Sequence, residues 1–310
     1  MNLLCAEGLR GAEKLNLSEA LVRLDGLAKH VEQETTRHLY RFRDRPADFN
    51  RSEAYFRMLT MATVLQQDLN VHYNSDRATE PGVFEPNDIF FANAEDVFIH
   101  GLIGDQRSGT CSSMPVFYAA VGRRLGYPLK LVTAKNHLFI RWDGGGERFN
   151  IDATGVGFNT FDDDYYRRWP LPTTDEEIRV FGYLKSLTAA EELAVFLSIR
   201  GQCLMAMGRA AEAVASHESA IRYAPESRMY RIIAAYAREE MAARVRPQLV
   251  IPPDPLLQTM ALTGDPNHEL EAEVAAWNAQ MRSRQRRGFN GGPPDPQPGV
   301  VYPQPNQPSR

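Results

Sequence analysis

Cysteine is scarce in this chain: 310 residues carry only Cys5, Cys111 and Cys203. Three thiols, odd in number and widely scattered, exclude a disulfide framework and a zinc site of clustered thiolates. They suit a reducing compartment. No apolar run approaches the roughly 20 residues of a membrane span. The opening MNLLCAEGLRGAEKLN lacks the basic n-region and apolar h-region of a signal peptide, so the sequence predicts a cytoplasmic protein with no membrane partner. An excess of positive charge is missing too. With 35 Lys and Arg against 39 Asp and Glu, the formal net charge is −4, which excludes the basic footprint of a nucleic-acid binder. What is there, 43% hydrophobic residues over 310 positions, suffices for a real core in about two domains plus appendages.

Residues 1–74 read as an N-terminal helical region. Leu21, Leu24, Ala28 and Val31 recur at helical spacing behind a start at Ser18 and Glu19. A turn at Arg45-Pro46-Ala47-Asp48 separates them from a second helix, Ser52 to Leu69, whose apolar face is Tyr55, Met58, Leu59, Ala62 and Leu65. The arginines between Arg37 and Arg45 fit a solvated helix face. Tyr73 to Asn93, with Pro81, Gly82 and Pro86, reads as a long surface loop. A short helix or strand follows over Ala94 to Gly104, in which His100 reads as a packed histidine.

The stretch RSGTCSSMPVFYAAVGRRLGYP, Arg107 to Pro128, organises the rest. Gly109 and Thr110 lead into Cys111, Ser112 and Ser113 are N-cap residue types, and Pro115 fits only a first turn. Val116, Phe117, Ala120, Val121 and Leu125 continue at helical spacing. Gly126 stops the helix and Pro128 bars its return. The pattern predicts a loop that delivers a cysteine to the start of a buried helix, where unpaired N–H groups and the dipole favour a thiolate. A buried structural cysteine is the other reading of a lone Cys.

Beyond Pro128 the periodicity changes to two. Leu129 to Thr133, His137 to Trp142 and Glu147 to Asp152 read as strands, the last two joined by Asp143-Gly144-Gly145-Gly146 as a four-residue hairpin loop. A helix followed by an antiparallel sheet points to an α+β domain. If Trp142 pairs with Glu147, His137 lies opposite Asp152 and Phe139 opposite Asn150, on one face with Cβ atoms roughly 4.5–5.5 Å apart. A bulge or a different turn would shift that register. A carboxylate so placed fixes the tautomer of the imidazole. Cys, then His, then Asp is the set a thiol nucleophile needs: a base to take its proton and an acid to orient the base.

These residues resemble a family. GTCSSMPVFYAAVGRRLGYPLKLV, then HLFIRW, then RFNIDATG is similar to the transglutaminase-like superfamily over about Arg107 to Gly157. The shared pattern is a Gly-x-Cys opening a helix that ends Leu-Gly-x-Pro, a His on one strand and an Asp on the next. The resemblance implies a papain-like α+β fold with Cys111 as nucleophile, His137 as base and Asp152 as orienting acid. It also implies an oxyanion donor at the place of Gln106, although the main-chain N–H of Cys111 is the stronger candidate. It implies no metal and no organic cofactor. The Cys-to-His span is short, leaving little room for the extra strand and loops of large transglutaminases. Residues 75–187 are thus expected to form a catalytic core performing cysteine-dependent amide acyl transfer or hydrolysis on a peptide or protein, through an acyl-thioester. The alternative is a non-catalytic peptide- or protein-binding scaffold built on the same cleft.

Asp162-Asp163-Asp164 suggests a helix N-terminus rather than a metal site, and Tyr165, Tyr166 and Trp169 suit core packing or the wall of a groove. Over 188–245 the composition turns helical and Ala-rich. Gly201, Leu204, Gly208, Ala213, Ala220 and Pro225 stand at the offsets of one tetratricopeptide (TPR)-like repeat, about Ala194 to Ser227, with His217 where an aromatic is usual. Arg228 to Val245 supplies a further helix. One repeat cannot form a solenoid, so it is expected to pack on the core; a protein partner in its groove is the second expectation. With the helical N-terminus, the whole resembles bacterial transglutaminase-like proteins of the SirB type, which carry TPR repeats. Residues 246–290 read as a linker with one helix, and 291–310, rich in Pro, Gly and Gln, as a disordered tail.

Overall fold

Two helices open the chain, α1 (Asn2–Ala6) and the 28-residue α2 (Leu17–Asp44). Asn16, rather than Ser18, caps α2: its side chain accepts the Glu19 N–H at 3.1 Å. The buried stripe is Ala20, Leu24, Leu27, Ala28 and Val31. Leu21, expected in it, lies at its edge and is exposed. After a 3-10 turn at Pro46–Phe49, the Ser52 hydroxyl caps α3 (Glu53–Thr63) by accepting the Tyr55 N–H at 2.9 Å. The α-helix ends earlier than expected because the chain widens into a π turn over Val64–Asp68, which keeps Val64 and Leu65 buried. The computed structural model describes residues 1–77 and 89–245. The middle of the expected surface loop, the linker helix and the tail lie outside the described residues.

Strand β1 (His72–Tyr73) pairs in parallel with β2 (Ser108–Gly109), just ahead of Cys111. Between them stand α4 (Ala94–Val97) and α5 (His100–Ile103), two short helices where one element was expected, separated by the extended residue Phe98. His100 is packed, its Nε2 3.0 Å from the Gly11 carbonyl.

Helix α6 (Met114–Arg124) follows, then an antiparallel sheet ordered β3 (Leu129–Ala134), β4 (His137–Gly144), β5 (Glu147–Ile151). Alternation along the strands splits the sheet into two faces. Leu129, Leu131, Leu138, Ile140, Trp142 and Ile151 join the main core with Val116, Phe117 and Val121 of α6. The other face sets Val132, Ala134 and Phe139 against Tyr166.

The hairpin register departs from the expected one. Gly144 pairs with Glu147, which leaves Gly145-Gly146 as a two-residue turn. Their φ angles are +65° and +81°, the two successive positive values that a type I′ turn requires and glycine takes without steric cost. The strands therefore run on through Asp143 and Gly144, and the pairing slides by two. Asn150 stands opposite Arg141 instead of Phe139, and Asp152 falls past the end of β5, where its N–H donates to the Asn159 carbonyl at 2.9 Å. A slide of two keeps every side chain on its face, so His137 and Asp152 still share one side.

Asp162 caps α7 (Asp163–Arg168) by accepting the Tyr165 N–H at 2.8 Å, and α8 (Asp175–Phe181) leads to three helices, α9 (Ala189–Ala206), α10 (Ala210–Tyr223) and α11 (Arg228–Val245). Packing does not break at the expected boundary of 188. Val195, Phe196, Ile199, Cys203 and Leu204 of α9 belong to the main core. Glu192 takes both ends of the Arg123 guanidinium of α6, Nη1 to Oε2 at 2.8 Å, and Arg200 Nη1 donates to the Cys5 and Glu7 carbonyls at 2.8 and 2.6 Å. No helix among the described residues is long and apolar enough to cross a membrane.

Candidate active site

Cys111 sits in the tight turn before α6 rather than in the helix itself. Ser113 makes no capping bond; Thr110 does that work. Its carbonyl accepts the N–H groups of Ser113 and Met114 at 3.1 and 2.9 Å, and its hydroxyl accepts the Ser112 N–H at 3.3 Å. The thiol thus stands one residue into a helical turn whose cap is Thr110. The Cys111 N–H makes none of these bonds. Gly109 is required by crowding: a Cβ there would lie 2.6 Å from the Ser113 hydroxyl and 2.9 Å from Leu102. The turn is tied down by one residue, Asp96. Its carbonyl accepts the hydroxyls of Thr110 at 3.0 Å and Ser113 at 2.7 Å. Its carboxylate accepts Asn74 Nδ2 at 2.7 Å and Arg77 Nε at 2.8 Å, from the chain just past β1.

His137 opens β4 and is buried. Its Nε2 donates to Asp152 Oδ2 at 2.8 Å. Cys111 is the ring's other polar neighbour, close enough to favour the charged imidazole. Asp152 is fully engaged: Tyr166 donates its hydroxyl to Oδ2 at 3.2 Å, and Thr154 donates its N–H at 2.9 Å and its hydroxyl at 2.5 Å to Oδ1. Aromatic rings wall the pair. Tyr166 stacks on His137 at 5.9 Å between centroids, Trp169 meets it edge-on at 4.8 Å, and Phe139 stacks on Tyr166 at 3.8 Å. The aromatics of 165–169 are therefore both packing and the enclosure of the imidazole. The same sheet face continues to Arg141, whose Nε donates to Asn150 Oδ1 at 2.6 Å and Nη2 to Asp163 Oδ1 at 2.5 Å.

The electrostatics follow from this enclosure. Burial alone would push the His137 pKa down, but the Asp152 carboxylate, its hydrogen bond and Cys111 together raise it to about 10. Burial would likewise push Asp152 up; the His137 charge and the bonds from His137 and Thr154 bring it to about 2. The pair is therefore an imidazolium and a carboxylate at neutral pH. The other two thiols are unlike Cys111. Cys5 and Cys203 are buried, and burial raises both, Cys203 to about 12, whereas Cys111 is half-buried and reachable.

The structure brings Cys111, His137 and Asp152 together, and Gln106 is exposed in the bend before β2. Sequence reasoning missed Asp96, which anchors the thiol turn, and Tyr73, whose ring packs against the core beside that turn. Thr154 carried a usable signal, since Asp152-x-Thr154 has the spacing of a side chain bonding the main chain two residues on. No curated protein and no solved structure matches the chain. The family model of the transglutaminase-like superfamily matches residues 18–180, more than half of the sequence and every element that carries Cys111, His137 and Asp152. The chain belongs to the transglutaminase-like superfamily.

Proposed function

We propose that this protein performs cysteine-dependent acyl transfer on a peptide or protein amide, with Cys111 as nucleophile, His137 as acid and base, and Asp152 as the group that orients His137. The observation that carries the reading is a buried imidazole held by Asp152 at Nε2, with Cys111 as its other polar neighbour. An imidazolium that keeps its proton at neutral pH is the partner a thiolate needs. The sulfur attacks the amide carbonyl, a C–S bond forms, and the carbonyl π pair moves onto oxygen. The Cys111 N–H faces that charge. Collapse expels the amine, which takes its proton from His137 and leaves an acyl-thioester. Water resolves it to an acid, or a second amine to a new amide, and His137 takes the incoming proton in either case. Gln106, exposed in its bend, is given no part in this sequence. The hairpin α9–α10 we read as a TPR-like unit of the SirB type whose first task is packing, and three unpaired thiols fit a cytoplasmic setting.

Alkylation by iodoacetamide tests this. At pH 6, Cys111 is expected to react on the order of 100-fold faster than Cys5 and Cys203 in the same chain, and His137→Ala to remove most of that advantage. If Cys111 reacts no faster than a free thiol, or is indifferent to His137, the enzyme reading falls. The cleft is then a peptide- or protein-binding scaffold.

A further inference from the structure

The oxyanion of the proposed reaction needs more than one donor, and with Gln106 exposed the Cys111 N–H stands alone. Several hydroxyls around the thiol turn are engaged or buried. Thr110 and Ser113 donate to the Asp96 carbonyl, Tyr166 donates to Asp152, and the Tyr118 hydroxyl, which accepts from Gln66 Nε2, is buried. Tyr165, whose hydroxyl has no partner among the described residues, stands on α7 and stacks on Phe161 at 4.0 Å. Tyr73 differs. In the β1–β2 ladder it pairs with Gly109, and the Asn74 N–H donates to the Gly109 carbonyl at 2.8 Å, so its main chain runs beside the residues that lead into Cys111. The two sides are locked in mutual position by Asp96, whose carboxylate holds Asn74 and whose carbonyl holds Thr110 and Ser113. Tyr73 is half-buried, and among the described residues its hydroxyl has no hydrogen-bond partner.

We propose that the Tyr73 hydroxyl is a catalytic residue, the second donor to the oxyanion formed when Cys111 attacks a carbonyl; this rests on the reading of Cys111 as nucleophile. As the C–S bond forms and the π pair moves onto the carbonyl oxygen, the O–H of Tyr73 hydrogen-bonds that oxygen without transferring its proton, and the bond relaxes when the C=O re-forms and the leaving group departs. Burial, with the charges of Cys111 and Asp152 adding to it, raises the Tyr73 pKa, which keeps the group a donor across the neutral range.

Two probes of the same sulfur separate this role from a structural one. p-Nitrophenyl acetate acylates a thiol through a tetrahedral oxyanion and releases p-nitrophenolate; iodoacetamide alkylates it by displacing iodide with no oxyanion. Tyr73→Phe keeps the ring and removes the donor. Acylation of Cys111 is expected to slow on the order of 10- to 100-fold, with the alkylation rate and thermal midpoint close to those of the unaltered chain. Equal loss in both reactions would overturn the proposal, because Tyr73 would then only position the thiol. Unchanged acylation would overturn it as well. His137→Ala, which should slow both reactions, is the control on the underlying reading: if it slows neither, that reading has failed and Tyr73 falls with it, whereas normal His137 dependence with Tyr73→Phe unaltered refutes Tyr73 alone.

Discussion

His137 and Asp152 carry opposite charges in a buried place, an arrangement whose desolvation cost is offset only by close geometry and by full use of the remaining lone pairs. Asp152 meets that condition with four bonds, from His137, Tyr166 and twice from Thr154. The pair links stability to pH. His137 rises from 6.5 to about 10 on folding, so its contribution is complete below pH 6.5 and is lost as pH climbs towards 10. Asp152 falls from 3.8 to about 2, so its contribution is complete above pH 3.8 and is lost as pH drops towards 2. Urea unfolding of the protein and of His137→Gln across pH should therefore give a difference that is constant between about pH 4 and 6.5 and narrows on both sides. A difference that grew above pH 7 would contradict the ion pair. At this scale the sequence was legible where order and face decide the matter. The meeting of His137 and Asp152 was readable because a two-residue slip leaves faces intact. Asp96 was not, because it holds the thiol turn through a main-chain carbonyl, and a carbonyl has no sequence pattern.

Among the elements, α6 and the three-stranded sheet were legible from periodicity and their stop signals. The hairpin turn was misread because Gly144, Gly145 and Gly146 are locally equivalent, and the twist of the flanking strands selects the last two. β1 and β2, two residues each, are too short for any periodicity to register. The α9–α10 contact shows what a small residue does there. Gly201 admits the ring of His217, which is fully buried, and a Cβ on Gly201 would lie 2.3 Å from Cε1 of that ring. Among the described residues neither ring nitrogen of His217 finds a partner, and burial lowers its pKa to about 4. Gly201→Ala would gain up to about 1 kcal/mol of helix propensity but lose about 1–3 kcal/mol to overpacking. A net loss in urea-derived stability is expected. His217→Ala in the same chain should make Gly201→Ala neutral or favourable, and additive effects of the two would show that they do not touch.

Taken as a whole, the molecule shares one core between the family-matched region and the helices after it. Glu192 is buried, reaches Arg123 on α6 and accepts the Leu131 N–H at 3.4 Å. Its loss in Glu192→Ala should cost about 3 kcal/mol, the low end for breaking a buried pair because Arg123 is partly exposed. With Trp277 replaced by Phe in both, urea transitions followed by tryptophan fluorescence, which then reports Trp142 and Trp169, and by far-UV circular dichroism, which also reports α9 to α11, should coincide in the protein and in the variant. Separate midpoints would show that the helices after residue 188 unfold on their own. The sequence located these helices but not their union with the core, because composition marks a change of element type and says nothing about which side chains meet across it.

The bonds from Arg200 to the Cys5 and Glu7 carbonyls, and from Glu192 to Arg123, also set an order in time. During synthesis, Cys111, His137 and Asp152 leave the ribosome well before α9 does, yet the first helix and the thiol-bearing helix both wait for α9 to complete their burial. At about 5–20 residues per second, the nascent chain spends seconds with all three site residues made and the core still open. Cys111 is thus withheld from its final setting until translation has passed α9, so a chain stalled before that point carries the site's residues without their scaffold.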